Sequence, residues 1–368
     1  MNGEKTIMTE KVQFTEINKI PALTWNWLKM NRDSFELSGA PAKKFPQISS
    51  IPNGVTVIQE GEISLSKFPA IKNGVGDEIC AYLEKNIFNG IDQIITANGT
   101  IAEPLVLSFP YMGAGESAES ESFASSQIIY ARENAELTVI FVYEGDSSKI
   151  DSIIRTKIYA EENAKVHVIK VQLLGENQNQ IDDTASVLLE NAVFRFTQIE
   201  LGGNHVDSGM SAELSGYKSK IRSNLAFICT ASQHLDINHS VIHTGSETDT
   251  KMLVKGSLDG NAVKTYRGTI DFKNGCRDAT GDEQEETLLL SKTAVNKSIP
   301  VILCNEENVS GTHGATLGRL GAEELFYMQS RGISESEAKK MITKAKVLST
   351  ASLIPNEEIR SKIETFLG

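Results

Sequence analysis

From about Leu105 to Cys304 the chain is written in short runs of Val, Ile, Leu, Phe and Thr, separated by Gly, Asn, Asp and Ser. Within the runs apolar residues alternate with others, as at Leu137, Val139, Phe141 and Tyr143. A period of two predicts strands with one face turned inward. The runs also repeat. YARENAELTVIFVYEG (Tyr130–Gly145) is echoed by YAEENAKVHVIKVQLLG (Tyr159–Gly175), and more weakly by LLENAVFRFTQIELGG (Leu188–Gly203). Asn134, Asn163 and Asn191 mark the same point in each copy, at intervals of 29 and 28 residues. Self-similarity at such a period signals a solenoid. Asn before each strand fits a corner, because it tolerates the left-handed conformation. The pattern predicts a parallel β-helix whose stacked coils share one core. An antiparallel sandwich is the competing architecture.

The flanks have a helical period. Ile20–Met30 carries apolar residues at helical spacing, with Pro21 suited to a first turn. A helix is expected near 76–88, with Ile79, Tyr82, Leu83 and Ile87 on one face and Asn89-Gly90 as its stop. After Ala322 come three helical stretches, 323–329, 334–350 and 355–367. Ser334 with Glu337 makes a capping-box pattern, and Ala338, Met341, Ile342 and Ala345 form an apolar stripe. The expected organisation is an N-terminal helical segment (1–50), a β-helix core (51–310) and a C-terminal loop with helices (311–368).

The 368 residues carry a net charge of −12, which argues against nucleic acid or an anionic membrane as partner. No apolar run approaches the length of a membrane span, and the N-terminal residues do not read as a signal peptide. A cytoplasmic protein with reduced thiols is the expectation. Cys80, Cys229, Cys276 and Cys304 form no CxxC pair. There is no GxxxxGK(S/T) and no GxSxG, so neither ATP hydrolysis nor an esterase elbow is expected.

Candidate chemistry gathers near the C-terminus. His313 lies between Thr312 and Gly314 in a glycine-rich stretch read as a loop, where a neutral imidazole could bind a borderline metal. Cys304, nine residues earlier, could supply a soft thiolate. His234, His239 and His243 resemble a ligand set, but on a strand residues 239 and 243 lie about 13 Å apart, and structural roles are expected. Asp278, Asp282, Glu283, Glu285 and Glu286 read as a solvated acidic loop. Phe326, Tyr327, Met328 and Arg331 form an apolar-aromatic helix that must dock on something.

The segment THGATLGRLGAEELFYMQSRGIS, with HSVIHTGSETDTKMLVKGSLDGNAVKTYRGTIDF and DEQEETLLLSKTAVNKSIPVILC upstream, resembles the SufB/SufD family of bacterial iron–sulfur cluster assembly scaffolds. The specific motifs run from about Gly216 to the end. The resemblance implies a right-handed parallel β-helix between helical end regions. It also implies a non-catalytic scaffold that pairs with a SufB-like paralogue and docks a SufC-type ABC ATPase. A cluster would be held transiently in the complex, and no cofactor stably by this chain. His313 falls where SufD-type chains carry a cluster-associated histidine. Gly314 stands where SufB-type chains have glutamate, and Ser291–Val295 lacks the SufB-type cysteine. Both departures favour SufD. A homodimeric scaffold of a simpler system is the alternative within the family; a polysaccharide lyase or acyltransferase built on a β-helix is the alternative outside it.

Overall fold

The computed structural model describes residues 11–24, 26–61, 63–88, 92–113 and 121–368. About half of the chain (51%) is strand, wound into a parallel β-solenoid of about seven turns. Each turn contributes one strand to each of two sheets. The eight-stranded sheet runs from Leu105–Tyr111 to Val309–Arg319. The ten-stranded sheet runs from Val55–Gly61 to Val295–Cys304. Within the coils the neighbours are parallel and in unbroken register.

The expected corners are present. Asn134, Asn163 and Asn191 have φ of 59°, 57° and 55°. The corner then continues through Lys218, Glu247 and Asp278, at φ of 58°, 54° and 59°. Each of these amides donates to a carbonyl of the next coil, as in Asn134 N–H to Glu162 O at 3.0 Å and Asn163 N–H to Glu190 O at 2.9 Å. The corner is therefore part of the hydrogen-bond ladder between coils, and the left-handed cost of about 1–2 kcal/mol for a residue with a Cβ is offset there.

Inside, Leu137, Val139, Phe141 and Tyr143 join Val166, Val168, Phe194, Phe196 and Met252 in one continuous core. The outer faces of both sheets are also covered. Ile140, Val142, Ile169, Val171 and Ile199 pack under Val347, Ala351, Ile354, Ile359 and Ile363 of the C-terminal helices. Each large apolar side chain buried there contributes about 1.5–3 kcal/mol. The early helix α1 is Asp77–Leu83, continued as a π-turn through Phe88, and the C-terminal helices are α2 (Ala322–Ser330), α3 (Glu335–Ala351) and α4 (Glu357–Leu367). The Ser334–Glu337 capping box is formed, with Ser334 N–H donating to the Glu337 carboxylate at 2.8 Å and Glu337 N–H to Ser334 Oγ at 3.3 Å.

Two expectations change. Ile20–Met30 is not a helix. Among its described residues only Asn26–Leu28 form a 3-10 turn, between antiparallel strands Val12–Ile17 and Asp33–Leu37. The stretch is the connection of a hairpin, in which Ile20 is buried while Leu23, Trp27 and Leu28 are exposed; Phe14, Ile17, Phe35 and Leu37 of the flanking strands pack with Ile79, Leu83 and Phe88 on the outer face of the ten-stranded sheet. Trp25 and the Asn89-Gly90 stop lie outside the described residues. On α3 the packed face is Ala338, Thr343, Val347, Thr350 and Ala351, whereas Met341 and Ala345 of the expected stripe are exposed. Val347 and Ala351 of that face pack on Ile169, Val171 and Ile199 of the eight-stranded sheet.

Candidate functional site at the end coil

His313 does not sit in a loop. It lies on the last strand of the eight-stranded sheet, Val309–Arg319, paired with Ala279–Leu289 on one side only. Threonine at 312 and 316 and the short residues between let this stretch extend, and its glycines gave it the look of a loop. Register fixes where the histidine points. Val139, Val168, Phe196, Ser223, Met252, Glu283 and His313 occupy one inward-facing row, coil by coil. The first six are buried. His313 is exposed, as are Gly311, Ala315 and Leu317 in the neighbouring inward positions. The solenoid therefore stops with its interior open. A strand edge is unpaired in each sheet, at Val295–Cys304 and at Val309–Arg319. Pro300 removes a donor from the first edge; the second has no proline.

Beneath His313 is Glu283, its register partner. Burial, with the nearby charge of Glu285, pushes the Glu283 carboxyl up to about 7. Glu285 is 1% exposed and paired with Lys264, which is 0% exposed. Burial opposes its ionisation, but the charge and hydrogen bond of Lys264 hold it below the usual carboxylate range. These residues correct the expectation of a solvated acidic loop. Ala279–Leu289 is a strand in which Gly281, Glu283, Glu285 and Thr287 face inward, while Asp282, Gln284 and Glu286 face out. Because both faces are polar, the two-residue period carried no hydrophobic contrast. Thr312 Oγ1 donates to Asp282 at 2.6 Å, which locks the two last strands beside His313. A Cβ at Gly314 would lie 2.5 Å from Gln284 Oε1, so a side chain there must displace that amide.

Cys304 ends the last strand of the other sheet and is the exposed one of the four cysteines. Its thiol donates to Glu306 O at 3.1 Å. Burial pushes the thiols of Cys229 and Cys276 up to about 12 and about 11. Cys304 and His313 lie on different sheets, and among the described residues neither belongs to a converging set of three ligand atoms. A metal or cluster held here would need donors from elsewhere.

The anchor helix α2 follows directly. Phe326 and Tyr327 are 72% and 60% exposed, and the Arg331 guanidinium stands 5.4 Å from the Tyr327 ring centroid. Met328 is half-buried. Gly332, with φ of 84°, terminates the turn after it.

The three upstream histidines separate as strand geometry requires. His239 and His243 are inside the solenoid, and burial lowers them to about 3 and about 4. His234 is on the outer face, beside His205 of the preceding coil. That pairing was missed. Its signal was the interval of 29 residues between them, equal to the repeat.

Fold and site define a parallel β-solenoid protein with an open, histidine-bearing end coil and packed layers outside both sheets. Residues 114–346 match the family described as SUF system FeS cluster assembly, SufBD core domain, and the chain belongs to the SufB/SufD family. It is 23% identical over 346 residues to the iron–sulfur cluster assembly protein SufD of Escherichia coli (strain K12), covering 93% of this chain and 80% of that one. It is 26% identical over 290 residues to the SufBD family protein ycf24 of Trieres chinensis, covering 75% and 58%. It is 26% identical over 172 residues to SufB of Bacillus subtilis (strain 168), covering 47% and 37%. Family membership, more than fold, separates the chain from carbohydrate-active β-helices. Among the described residues no helix is long and apolar enough to cross a membrane.

Proposed function

We propose that this chain is a SufD-like, non-catalytic scaffold subunit of a cytoplasmic SufBCD-type complex. In this reading it pairs with a SufB-like paralogue through its end coil and docks a SufC-type ABC ATPase through α2. The iron–sulfur cluster is cargo, held transiently at the junction. The observation that carries this reading is the uncapped end: an inward row that is buried through six coils emerges into solvent at His313. Solenoids need polar caps at their ends, and an open strand edge is a pairing template. The free surfaces are Val295–Cys304 and Val309–Arg319. Leu317, 57% exposed, supplies the apolar contact.

His313 supports the cargo role because it reaches the opening on a strand with small neighbours. The glycine at 314 and the lack of cysteine in Ser291–Val295 leave the remaining ligands to the paralogue. Exposed Phe326 and Tyr327 suit an ATPase interface, since aromatic residues and Arg are enriched at interface cores. The test is sedimentation of the chain alone and mixed with its SufB-type paralogue. Wild type should form a dimer in the mixture, or with itself in a simpler system, and Leu317→Lys should abolish it. Monomers in both samples at micromolar concentration would overturn the reading.

A further inference from the structure

We propose that Asp33, His205, Asp207 and His234 form a binding site for a divalent transition-metal ion of the zinc or ferrous type, at the outer face of the ten-stranded sheet. The His234 strand lies two strands in from the end-coil strand Val295–Cys304, and the site shares no residue with His313 or Cys304. Solenoid register builds half of it. His205 and His234 are paired across adjacent coils, with ring centroids 4.4 Å apart. Asp207 is two residues along the strand from His205, on the same outward face. The N-terminal hairpin brings the fourth donor, Asp33, from the start of its second strand.

Ligand atoms of Asp33, His205 and His234 lie within 4.8 Å of one another, and Asp33 and Asp207 belong to a second such set with Asp236. Asp33 Oδ2 is 2.5 Å from His234 Nε2 and 3.4 Å from His205 Nε2. Asp207 Oδ2 is 3.2 Å from His205 Nε2. In a tetrahedral site with bonds of about 2.0–2.2 Å, adjacent donors are about 3.3–3.5 Å apart. The Asp33–His205 and His205–Asp207 separations are close to that figure. The third is a hydrogen bond that would open by about 1 Å when an ion replaces the shared proton. Two imidazoles and two carboxylates suit zinc or ferrous ion better than calcium or magnesium.

A further observation points to a cation. Asp207 is 0% exposed, yet neither carboxylate oxygen accepts a hydrogen bond of good geometry, and His205 Nε2 lacks one too. A buried carboxylate without donors is a costly arrangement that a metal ion relieves. Asp33, Asp207 and Asp236 also meet here, and Arg267 pairs with Asp236, which accepts from Asn18 Nδ2 at 2.8 Å.

Access is from an open groove of about 760 Å³ in which Asp33 and Asn31 are joined by Lys19, Lys29, Arg32 and Lys297; Lys19 and Arg32 are paired with Glu16. A bound ion would fasten the hairpin to two coils about 170 and 200 residues further along the chain.

The experiment uses the full, untagged chain, stripped with chelator and carrying His313→Ala and Cys304→Ala so that the end coil contributes no ligand. Zn²⁺ is titrated by calorimetry and Co²⁺ by visible absorption. The expected result is one ion per chain, a tetrahedral Co²⁺ spectrum without a thiolate charge-transfer band, and a raised Tm with Zn²⁺. Since outer-shell changes alone cost about tenfold to a hundredfold in metal affinity, the double variant His205→Asn, His234→Asn should lose more than tenfold. If that variant does not fold, Asp33→Asn, at the groove side, gives the same comparison. No Zn²⁺ binding and no Tm shift in the stripped chain, or unchanged binding in the ligand variants, overturns the proposal.

Discussion

Glu283→Gln isolates the carboxyl directly beneath His313. Glu283 is 2% exposed, and its pKa stands at about 7 against an ordinary 4.5. The folded chain therefore holds a proton that the unfolded chain releases between those values. The folded state binds more protons across that interval, so stability falls as pH rises through it. The interval is about 2.5 units at 1.36 kcal/mol each, which costs the wild type about 3 kcal/mol by pH 8. Glutamine has the same shape and does not titrate. Relative to wild type, Glu283→Gln should be nearly neutral at pH 5 and more stable at pH 8 by up to about 3 kcal/mol, less any constant cost of burying the amide. Urea unfolding followed by far-ultraviolet circular dichroism at the two pH values measures the difference. The wild-type-minus-variant comparison cancels the other titrating groups. An equal difference at both pH values, or a variant less stable at pH 8, would show that Glu283 is ionised and well partnered in the fold, and the reasoning would fail.

Lys264→Met should cost about 3–5 kcal/mol at pH 8, because it leaves Glu285 buried without its cation. Glu285 would then have a folded pKa above its unfolded one, so the same pair of unfolding curves should show the penalty shrinking toward pH 5. At the Asn163 corner, with φ of 57°, Asn163→Gly should be tolerated and Asn163→Val should cost about 1–2 kcal/mol in thermal unfolding. Phe326→Ala with Tyr327→Ala should weaken pull-down of the ATPase while leaving circular dichroism unchanged, since both rings are exposed; loss of strand signal would make them internal packing instead.

The solenoid was legible because its first copies repeat in residue identity as well as in period. Asn134, Asn163 and Asn191 showed the corner; Lys218, Glu247 and Asp278 take the same conformation without the same side chain, so the later coils were visible only through their alternation. The C-terminal helices were legible through local chemistry, as at Ser334 and Glu337. The N-terminal hairpin was not, because apolar residues chosen to pack on a sheet at Phe14, Ile17, Phe35 and Leu37 need not show a strand period over six residues. Glu283 was hidden by polar residues on both faces of its strand. His313 was found as a residue, yet its strand was hidden by its glycines. His205 and His234 were separable from the other histidines only by counting in coils, and Asp33 by no local signal at all, since the hairpin that carries it docks through tertiary packing.

The direct test of the scaffold account is iron per complex, measured on wild type and His313→Ala co-expressed anaerobically with the SufB-type paralogue and the ATPase. A ligand must offer its lone pair, so His313→Ala should lower bound iron and sulfide together while the ATPase still co-purifies. Equal iron content and equal cluster transfer in the two complexes would contradict the account and leave His313 a surface residue of the last strand.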